Sequence, residues 1–326
     1  MSLQTMEDDI SAIPAERLVF IEHLIARGGP EAAEYEAFTA WIDAMADDVS
    51  TGTLSVNDLR SFWRQVTQHA FKGTAQADVV LQPHGYHGDF EIIDAIYTER
   101  VNEHPALEKW DRYFHAQSAP KAVRNRKAYF QHLLRRSEDG RWAQHRTSVD
   151  GHTEPGLRVL NVASGPGRDM HEWFESSPKT GVRIDCVELD PKAIRYASEL
   201  CAKWMNSIQF HQGNALRFKT GERYHLIWSA GLFDYLNDAL FVRLLRTFLR
   251  HCLPGGEIVV GNFSEYNPSR NYMELLGGWE LIHRSRERLV ALSELAGIPV
   301  EHIHVGQEEE GVNLFLHIRV PSLLKS

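Results

Sequence analysis

The stretch LRVLNVASGPGRD, residues 157–169, decides the fold of this chain. Residues 157–163 form a short apolar run typical of a β-strand, residues 164–167 form a tight loop of small residues, and a helix is predicted from Arg168. Backbone without side chains can approach a ligand closely, so a strand, a glycine loop and a helix together make a floor for a nucleotide-like ligand in an α/β sheet.

A second apolar run, residues 182–187, predicts the next strand, and Glu188 follows at its tip. An acid in this position can accept hydrogen bonds from both hydroxyls of a ribose. The loop lacks the lysine of a P-loop and the third glycine of a dinucleotide fingerprint, which makes an NAD dehydrogenase a distant alternative. Asp169, directly after the loop, suits a ligand ammonium group better than a phosphate.

This arrangement resembles the first motif of class I S-adenosylmethionine (SAM)-dependent methyltransferases. The resemblance covers residues 155–320 and implies an α/β fold with a Rossmann-like, seven-stranded sheet. It implies that the loop carries the methionine end of SAM, that Glu188 holds the ribose, and that Asn214 lies beside the adenine. The cofactor-binding residues predicted in this part of the chain are Ala163, Ser164, Gly165, Gly167, Asp169, Glu188, Leu189, Asn214, Ala215, Ser229 and Gly231.

The rest of the C-terminal half supplies the elements that this fold requires. Strands are predicted over 208–212, 224–229, 257–263, 300–305 and 312–320, with helices over 238–252 and 286–296. A Leu-Pro-Gly-Gly turn at 253–256 precedes the fifth strand, as is common in the family.

Composition limits the classes of partner. The formal charge of −9 argues against nucleic acid as the main partner, because phosphate binding needs a basic face. No apolar run has the length of a membrane span and the N-terminus lacks a signal-peptide pattern, so we expect a cytoplasmic protein without membrane contact. Cys186, Cys201 and Cys252 are predicted to be small core residues in a reducing compartment.

Histidine pairs offer no convincing metal site. His84 and His87 are three residues apart, and His302 and His304 are expected on one face of a strand. No nearby carboxylate or cysteine completes either set, and metal sites normally need three or four ligands. We therefore predict no metal.

The first 150 residues show helical periodicity and no βαβ pattern. Helices are predicted over 14–27, 30–46, 55–71, 89–97, 106–115 and 120–136, with a capping box formed by Ser55 and Asp58. The polar segment 147–156 is the expected boundary, so residues 1–150 form a helical domain and residues 151–326 the SAM-binding domain. A helical roof that keeps water from the reacting sulfonium is the preferred role, and a dimerisation platform or adaptor is the alternative.

Residues 84–90, HGYHGDF, combine two glycines, one aromatic ring and one acid. A purely structural interpretation is a turn in which Asp89 caps the following helix. The segment 84–97 also resembles the GYxGD(Y/F)E motif of a bacterial methyltransferase group that includes proteins of 3-hydroxy fatty acid methyl ester biosynthesis. Segments 116–130 and 279–285 resemble the same group. In that interpretation Tyr86 and Asp89 contact the methionyl end of SAM, through cation–π attraction and charge pairing.

Residues that bind the acceptor are harder to predict. The basic run Lys121, Arg124, Arg126 and Lys127 is expected to be mostly a solvated helix face, although Arg124 could clamp a carboxylate. Side chains after the fourth and fifth strands should face the cofactor, because sites lie at the carboxyl ends of open α/β sheets. The predicted catalytic residues are Tyr235, Arg270 and Tyr272, and the predicted substrate-binding residues are Arg124, Asn262 and Asn267.

Three functions remain open at this stage. The first is methyl transfer from SAM to a small molecule, with a carboxylate or hydroxyl as acceptor, in biosynthesis. The second is attack on the aminobutyrate chain of SAM, which closes azetidine-2-carboxylate or passes on an aminocarboxypropyl group and leaves methylthioadenosine. The third is a non-catalytic SAM-binding regulator. A homodimer is compatible with all three.

Overall fold

A computed structural model describes residues 13–139, 156–178 and 180–321. The chain forms two compact units. The helical unit comprises the described residues up to Lys121 together with Asn267–Glu280, and the sheet unit comprises the remainder from Ala122 onward. The boundary predicted at residue 150 lies outside the described residues and stays a prediction. The two compact units divide between Lys121 and Ala122, inside a helix.

The helical unit contains α1 (Ala15–Ala26), α2 (Tyr35–Ser50), α3 (Val56–Ala70), α4 (Ala75–Leu81), α5 (Phe90–Tyr97) and α6 (Glu108–Ala116). Its core is aromatic: the Phe38 ring centroid lies 4.6 Å from that of Tyr113 and 6.0 Å from that of Trp110. Large rings of this kind bury much apolar surface per residue, which holds short helices together.

Side-chain caps fix where several of these helices begin. Ser55 is the N-cap of α3, as predicted, and accepts the Asn57 backbone N–H at 3.2 Å. Thr74 caps α4, a seven-residue helix that the periodicity analysis missed because it spans only two turns. Asp89 caps α5 by accepting the N–H groups of Glu91 at 2.9 Å and Ile92 at 3.1 Å. The interpretation of Asp89 as a helix cap is therefore confirmed.

The sheet unit holds seven strands: β1 (Leu157–Val162), β2 (Val182–Glu188), β3 (Ile208–Gln212), β4 (Tyr224–Ser229), β5 (Cys252–Phe263), β6 (Ile303–Gln307) and β7 (Asn313–Arg319). They pair in the order β3-β2-β1-β4-β5-β7-β6, and β7 runs antiparallel to both of its neighbours. The predicted Rossmann-like, seven-stranded sheet is confirmed.

Helices cover both faces of this sheet. They are α7 (Ser118–Asp139), α8 (Arg168–Ser176), α9 (Pro191–Leu200), α10 (Asp238–His251) and α11 (Arg286–Leu295). One apolar layer joins Phe130 of α7 and Trp173 of α8 to the strands, and the other joins Phe241 of α10 and Leu289 of α11 to the opposite face. The packing of α7 on the sheet explains why the second unit begins inside that helix.

Three details differ from the sequence-based expectations. The predicted 253–256 turn is built into β5 as an irregularity, with Tyr224 opposite Cys252 but Leu226 opposite Glu257. His302 lies in a short 3-10 turn before β6, so it does not share a strand face with His304. The segment 267–280 belongs to the helical unit and includes a π-helical turn, Tyr272–Leu276.

Cys186, Cys201 and Cys252 are buried and unpaired as disulfides, so their predicted core role is confirmed. Within the described ranges, no helix combines the length and apolar character needed to cross a membrane.

Candidate active site

The candidate site lies where the order of the strands reverses along the chain. From β1 the chain moves outward through β2 to β3, and it then returns to place β4 on the other side of β1. Ligands of open α/β sheets bind at the carboxyl ends of the strands beside such a switch point. Ser229, at the end of β4, donates its hydroxyl to the Val162 carbonyl at 3.0 Å and is fully buried. This predicted cofactor residue therefore ties the two central strands together.

The loop between β1 and α8 uses three residues with left-handed backbone. Ala163 has φ 54°, Gly165 has φ 59° and Gly167 has φ 72°. A Cβ added to Gly165 would meet nothing within 4 Å, whereas one on Gly167 would lie 3.1 Å from the Ala197 Cβ. Gly167 is thus required for packing against α9, and Gly165 leaves an open face above the loop. Ser164, between Ala163 and Gly165, is buried.

Glu188 binds the same loop from the tip of β2. One carboxylate oxygen accepts the Gly165 N–H at 2.9 Å, and the other accepts those of Leu189 at 2.7 Å and Asp190 at 3.1 Å. The carboxylate is therefore fixed at the rim of the loop. An ionised carboxylate has about four acceptor positions, so a ribose bound here would share it with these N–H groups.

The loop after β3 lies beside the Glu188 turn. The Gly213 N–H donates to the Glu188 carbonyl at 2.8 Å. Asn214 accepts the Leu216 N–H on its side-chain oxygen at 2.9 Å, while the residue itself is exposed. Ala215 packs against the apolar layer under α10. The structure thus brings the predicted ribose and adenine residues to one edge of the sheet.

Two buried carboxylates and a buried arginine lie at this end of the sheet unit. Burial raises the pKa of Asp169 to about 6, although the Met170 N–H and the charge of Arg126 act in the opposite direction. Burial likewise raises the pKa of Asp234 to about 6, although the hydrogen bond from the Phe263 N–H and the charges of Arg126 and Arg284 act to lower it. The Arg126 guanidinium covers Gly231, with one nitrogen 2.9 Å from the position of an added Cβ.

Arg126 is only 8% exposed, so the prediction that this residue belongs to a solvated helix face is wrong. Its neighbours at helical spacing, Ala122, Val123 and Phe130, are all buried. An arginine inside such an apolar stripe is the sequence signal of this buried cation. Arg124, which was predicted instead, is half-buried on the same helix.

Asn262 has a structural role that leaves no room for the predicted substrate contact. Its amide nitrogen donates to the carbonyls of Phe263 at 2.8 Å and Ile282 at 2.9 Å, and its oxygen accepts from Arg284 at 2.7 Å. Arg284 is itself buried and also pairs with Asp238 at 3.0 Å. All polar atoms of the Asn262 side chain are therefore engaged inside the sheet unit.

Tyr235, a predicted catalytic residue, ends a short 3-10 turn after β4 and is 44% exposed. The other candidates after β5 lie in the helical unit. Asn267 accepts the Ser269 N–H at 3.0 Å, and Arg270 pairs with Glu274 at 2.9 Å. Tyr272 is buried with its ring edge-on to Tyr113, and burial raises its pKa well above the usual value. Their local contacts are those of a helix start and a packed core.

Tyr86 and Asp89 also belong to the helical unit, where Tyr86 is 40% exposed and Asp89 is buried as a helix cap. Burial raises the pKa of Asp89, although hydrogen bonds from the N–H groups of Ile92 and Glu91 and the charge of His84 act to lower it. Their contact with SAM stays a prediction.

The residues of the sheet unit fit SAM. The open face at Gly165 leaves room for a ligand against bare backbone, and the Glu188 carboxylate stands at the rim of that loop. The next loop along the edge presents Asn214, which can both donate and accept hydrogen bonds.

Comparison with known proteins agrees with this geometry. The protein family described as "Methyltransferase domain" matches residues 159–256. Among solved structures, a possible exported protein from Bordetella parapertussis superposes with a TM-score of 0.60 at 20% identity, over 82% of this chain and 96% of that one. A likeness at this identity concerns the fold.

Two further structures are more distant. The SAM-dependent methyltransferase SibL gives a TM-score of 0.48 at 14% identity, over 85% of this chain and 77% of that one. The N-methyltransferase NodS from Bradyrhizobium japonicum WM9 gives a TM-score of 0.41 at 18% identity, over 61% of this chain and 97% of that one. No curated protein sequence matches the chain. The matched domain and the sheet order place residues 159–256 in the class I methyltransferase superfamily, and the protein is a SAM-dependent transferase.

Proposed function

We propose that this protein transfers a methyl group from SAM to a small-molecule acceptor, with the cofactor held at the carboxyl ends of β1 and β2. The observation that carries the proposal is the left-handed loop that is open at Gly165 and edged by the Glu188 carboxylate. Bound SAM supplies a methyl carbon that its sulfonium makes electrophilic.

Each part of this edge has a separate task in the proposal. The backbone of residues 163–167 supports the methionine end of the cofactor, because only bare backbone lets a ligand approach so closely. Glu188 accepts from the ribose, and Asn214 with Ala215 lies against the adenine. The chain then has mainly to hold the acceptor oxygen near the methyl carbon and in line with it.

The acceptor is proposed to be a carboxylate or a hydroxyl. A carboxylate needs a cation to hold it but no base, and Arg124 is the proposed cation. A hydroxyl must lose its proton, which a carboxylate with a pKa near neutrality can accept. Asp169 and Asp234, with pKa values of about 6, have this property in the sheet unit.

The products distinguish the proposal from its rivals. The full chain would be incubated with SAM and the small-molecule fraction of a bacterial extract, and the nucleoside products would be separated by liquid chromatography and mass spectrometry. We expect S-adenosylhomocysteine that forms only when the extract fraction is present. The Gly165→Val variant, which fills the open face, should form none.

Methylthioadenosine as the main product would contradict methyl transfer and indicate attack on the aminobutyrate chain. Saturable SAM binding without any product would indicate a regulator. Turnover that requires the macromolecular fraction would contradict a small-molecule acceptor.

A further inference from the structure

A cavity of about 640 Å³ lies in the sheet unit between the loop after β3 and the C-terminal half of α10. Because α10 ends at His251 and β5 begins at Cys252, this cavity extends toward the amino end of β5. The proposed cofactor loops follow the carboxyl ends of β1, β2 and β3. The loop after β3 leaves that edge after Asn214 and Ala215, and its residues 216–220 line the cavity before β4 begins at Tyr224. The cavity is therefore a neighbouring site and not the proposed cofactor site itself. Its lining is strongly basic: Arg217, Lys219, Arg243, Arg246, Arg250 and His251.

The hydrogen bonds of two of these arginines go to neutral acceptors. Arg246 donates to the Leu295 carbonyl at 2.6 Å and Arg250 to the Thr247 hydroxyl at 3.0 Å, which are both neutral acceptors. Throughout the described part of the chain, the five arginine and lysine side chains of the cavity form no ion pair. Exposed arginines elsewhere do, as Arg288 does with Asp238. A basic cavity is unexpected in a chain with a formal charge of −9.

Helix stability does not account for this cluster. A cation in the last turn interacts favourably with the helix dipole, which explains Arg250. It does not explain Arg217 and Lys219, which belong to a loop. Arg243, Arg246 and Arg250 also stand on one face of α10 at spacings of three and four, where like charges repel each other. An anion in the cavity would offset that repulsion.

We propose that this cavity binds a small anionic molecule that carries two or more phosphate groups. Its volume lies within the range of small-molecule sites, about 300–1,000 Å³. Guanidinium groups match phosphate oxygens in a bidentate manner and remain charged at every physiological pH. Four guanidinium groups and the Lys219 ammonium group carry more charge than one carboxylate needs, and Phe218 adds aromatic surface to the lining. The concave shape favours a small ligand over an extended polyanion such as duplex DNA.

Calorimetric titration of the full chain with sodium tripolyphosphate, at constant ionic strength, tests this proposal. We expect saturable binding that the double variant Arg243→Ala/Arg250→Ala weakens by about tenfold or more, since charge-assisted contacts are lost. The matched control is Arg183→Ala/Arg195→Ala, which removes the same charge from two exposed arginines outside the cavity. The control should bind as the wild type does, and thermal unfolding should show that both variants are folded.

Other outcomes would overturn the proposal. One is the absence of tripolyphosphate binding, and another is equal loss of affinity in the cavity variant and the control. A third is binding of a 20-base-pair DNA duplex that tripolyphosphate does not displace, which would indicate a nucleic-acid surface. SAM affinity measured in the same variants should stay unchanged, so failure here would leave the proposed methyl transfer unaffected.

Discussion

Arg126 is expected to control how the stability of the sheet unit depends on pH. It is 8% exposed and is the cation that acts on both Asp169 and Asp234. The pKa of each carboxyl is about 6 against an ordinary 3.8, so ionising each one in the folded state costs about 3 kcal/mol even with Arg126 present. Arg126→Met removes the cation and keeps the apolar stem, which should raise both pKa values further.

The folded variant would then hold more protons than the unfolded chain over a wider pH range, and its stability would fall more steeply as pH rises. We expect a loss of about 3–5 kcal/mol at pH 8, as for a broken buried pair, and a smaller loss at pH 5, where both carboxyls are neutral. Urea unfolding at the two pH values measures this, with Arg124→Met as the half-buried control on the same helix. Equal losses at both pH values, or a loss no larger than that of Arg124→Met, would refute the reasoning.

Three further predictions concern single positions. Gly165→Ala should cost about 1 kcal/mol of folding stability, from its left-handed backbone alone, and should also weaken SAM binding. Gly167→Ala should cost about 2–4 kcal/mol of folding stability, because its Cβ meets Ala197 and Met170. Denaturant unfolding measures the two stability losses, and calorimetry measures SAM affinity. Burial acts to raise the pKa of Glu257, but His317 and Arg136 bring this pKa below its usual 4.5. Glu257→Gln should therefore destabilise the fold by about 1–3 kcal/mol at pH 7, and by progressively less as pH falls below 4.5. An equal loss of stability at every pH in that range would contradict this prediction. Asp89→Asn keeps a good helix cap, so it should lower SAM affinity with little change in the thermal midpoint, and unchanged affinity would remove Asp89 from the cofactor site.

The sheet was predictable because its signals are local. Strand β3 has the predicted bounds, and β1, β2 and β4 differ from theirs by at most one residue. Strands β1 and β4 are short, mostly buried runs, β2 and β3 alternate apolar and polar residues, and the glycine loop follows β1. Buried parallel strands of this kind produce such runs because both of their faces are covered.

The division of the chain into units could not be predicted in this way. Residues 267–280 follow β5 directly, yet Tyr272 packs edge-on against Tyr113 in the helical unit. Arg60 donates to the Glu274 carbonyl at 2.7 Å, across more than two hundred residues of sequence. Contacts between such distant positions leave no trace in local periodicity or in helix caps.

The candidate site was predictable where backbone geometry dominates and not where buried charges do. Gly165, Gly167 and Glu188 could be found from spacing because a tight loop restricts residue type. The position of Asn262 at the carboxyl end of β5 suggested that it faces the cofactor, but its amide is satisfied by Arg284 and two carbonyls. The burial of Arg126 follows from the apolar stripe of Ala122, Val123 and Phe130, which the charges of that helix obscure in the sequence.

The affinity of the full chain for SAM in the Glu188→Ala variant, measured by calorimetry, tests the central claim most directly. The carboxylate holds the rim of the open loop and is expected to bind the ribose, so its loss should weaken SAM binding by about 2–3 kcal/mol, or tenfold to a hundredfold. Asp190→Ala, which removes the cap of α9 and leaves Glu188 in place, is the control and should bind SAM as the wild type does. Wild-type SAM affinity in a folded Glu188→Ala protein would contradict cofactor binding at the carboxyl ends of β1 and β2.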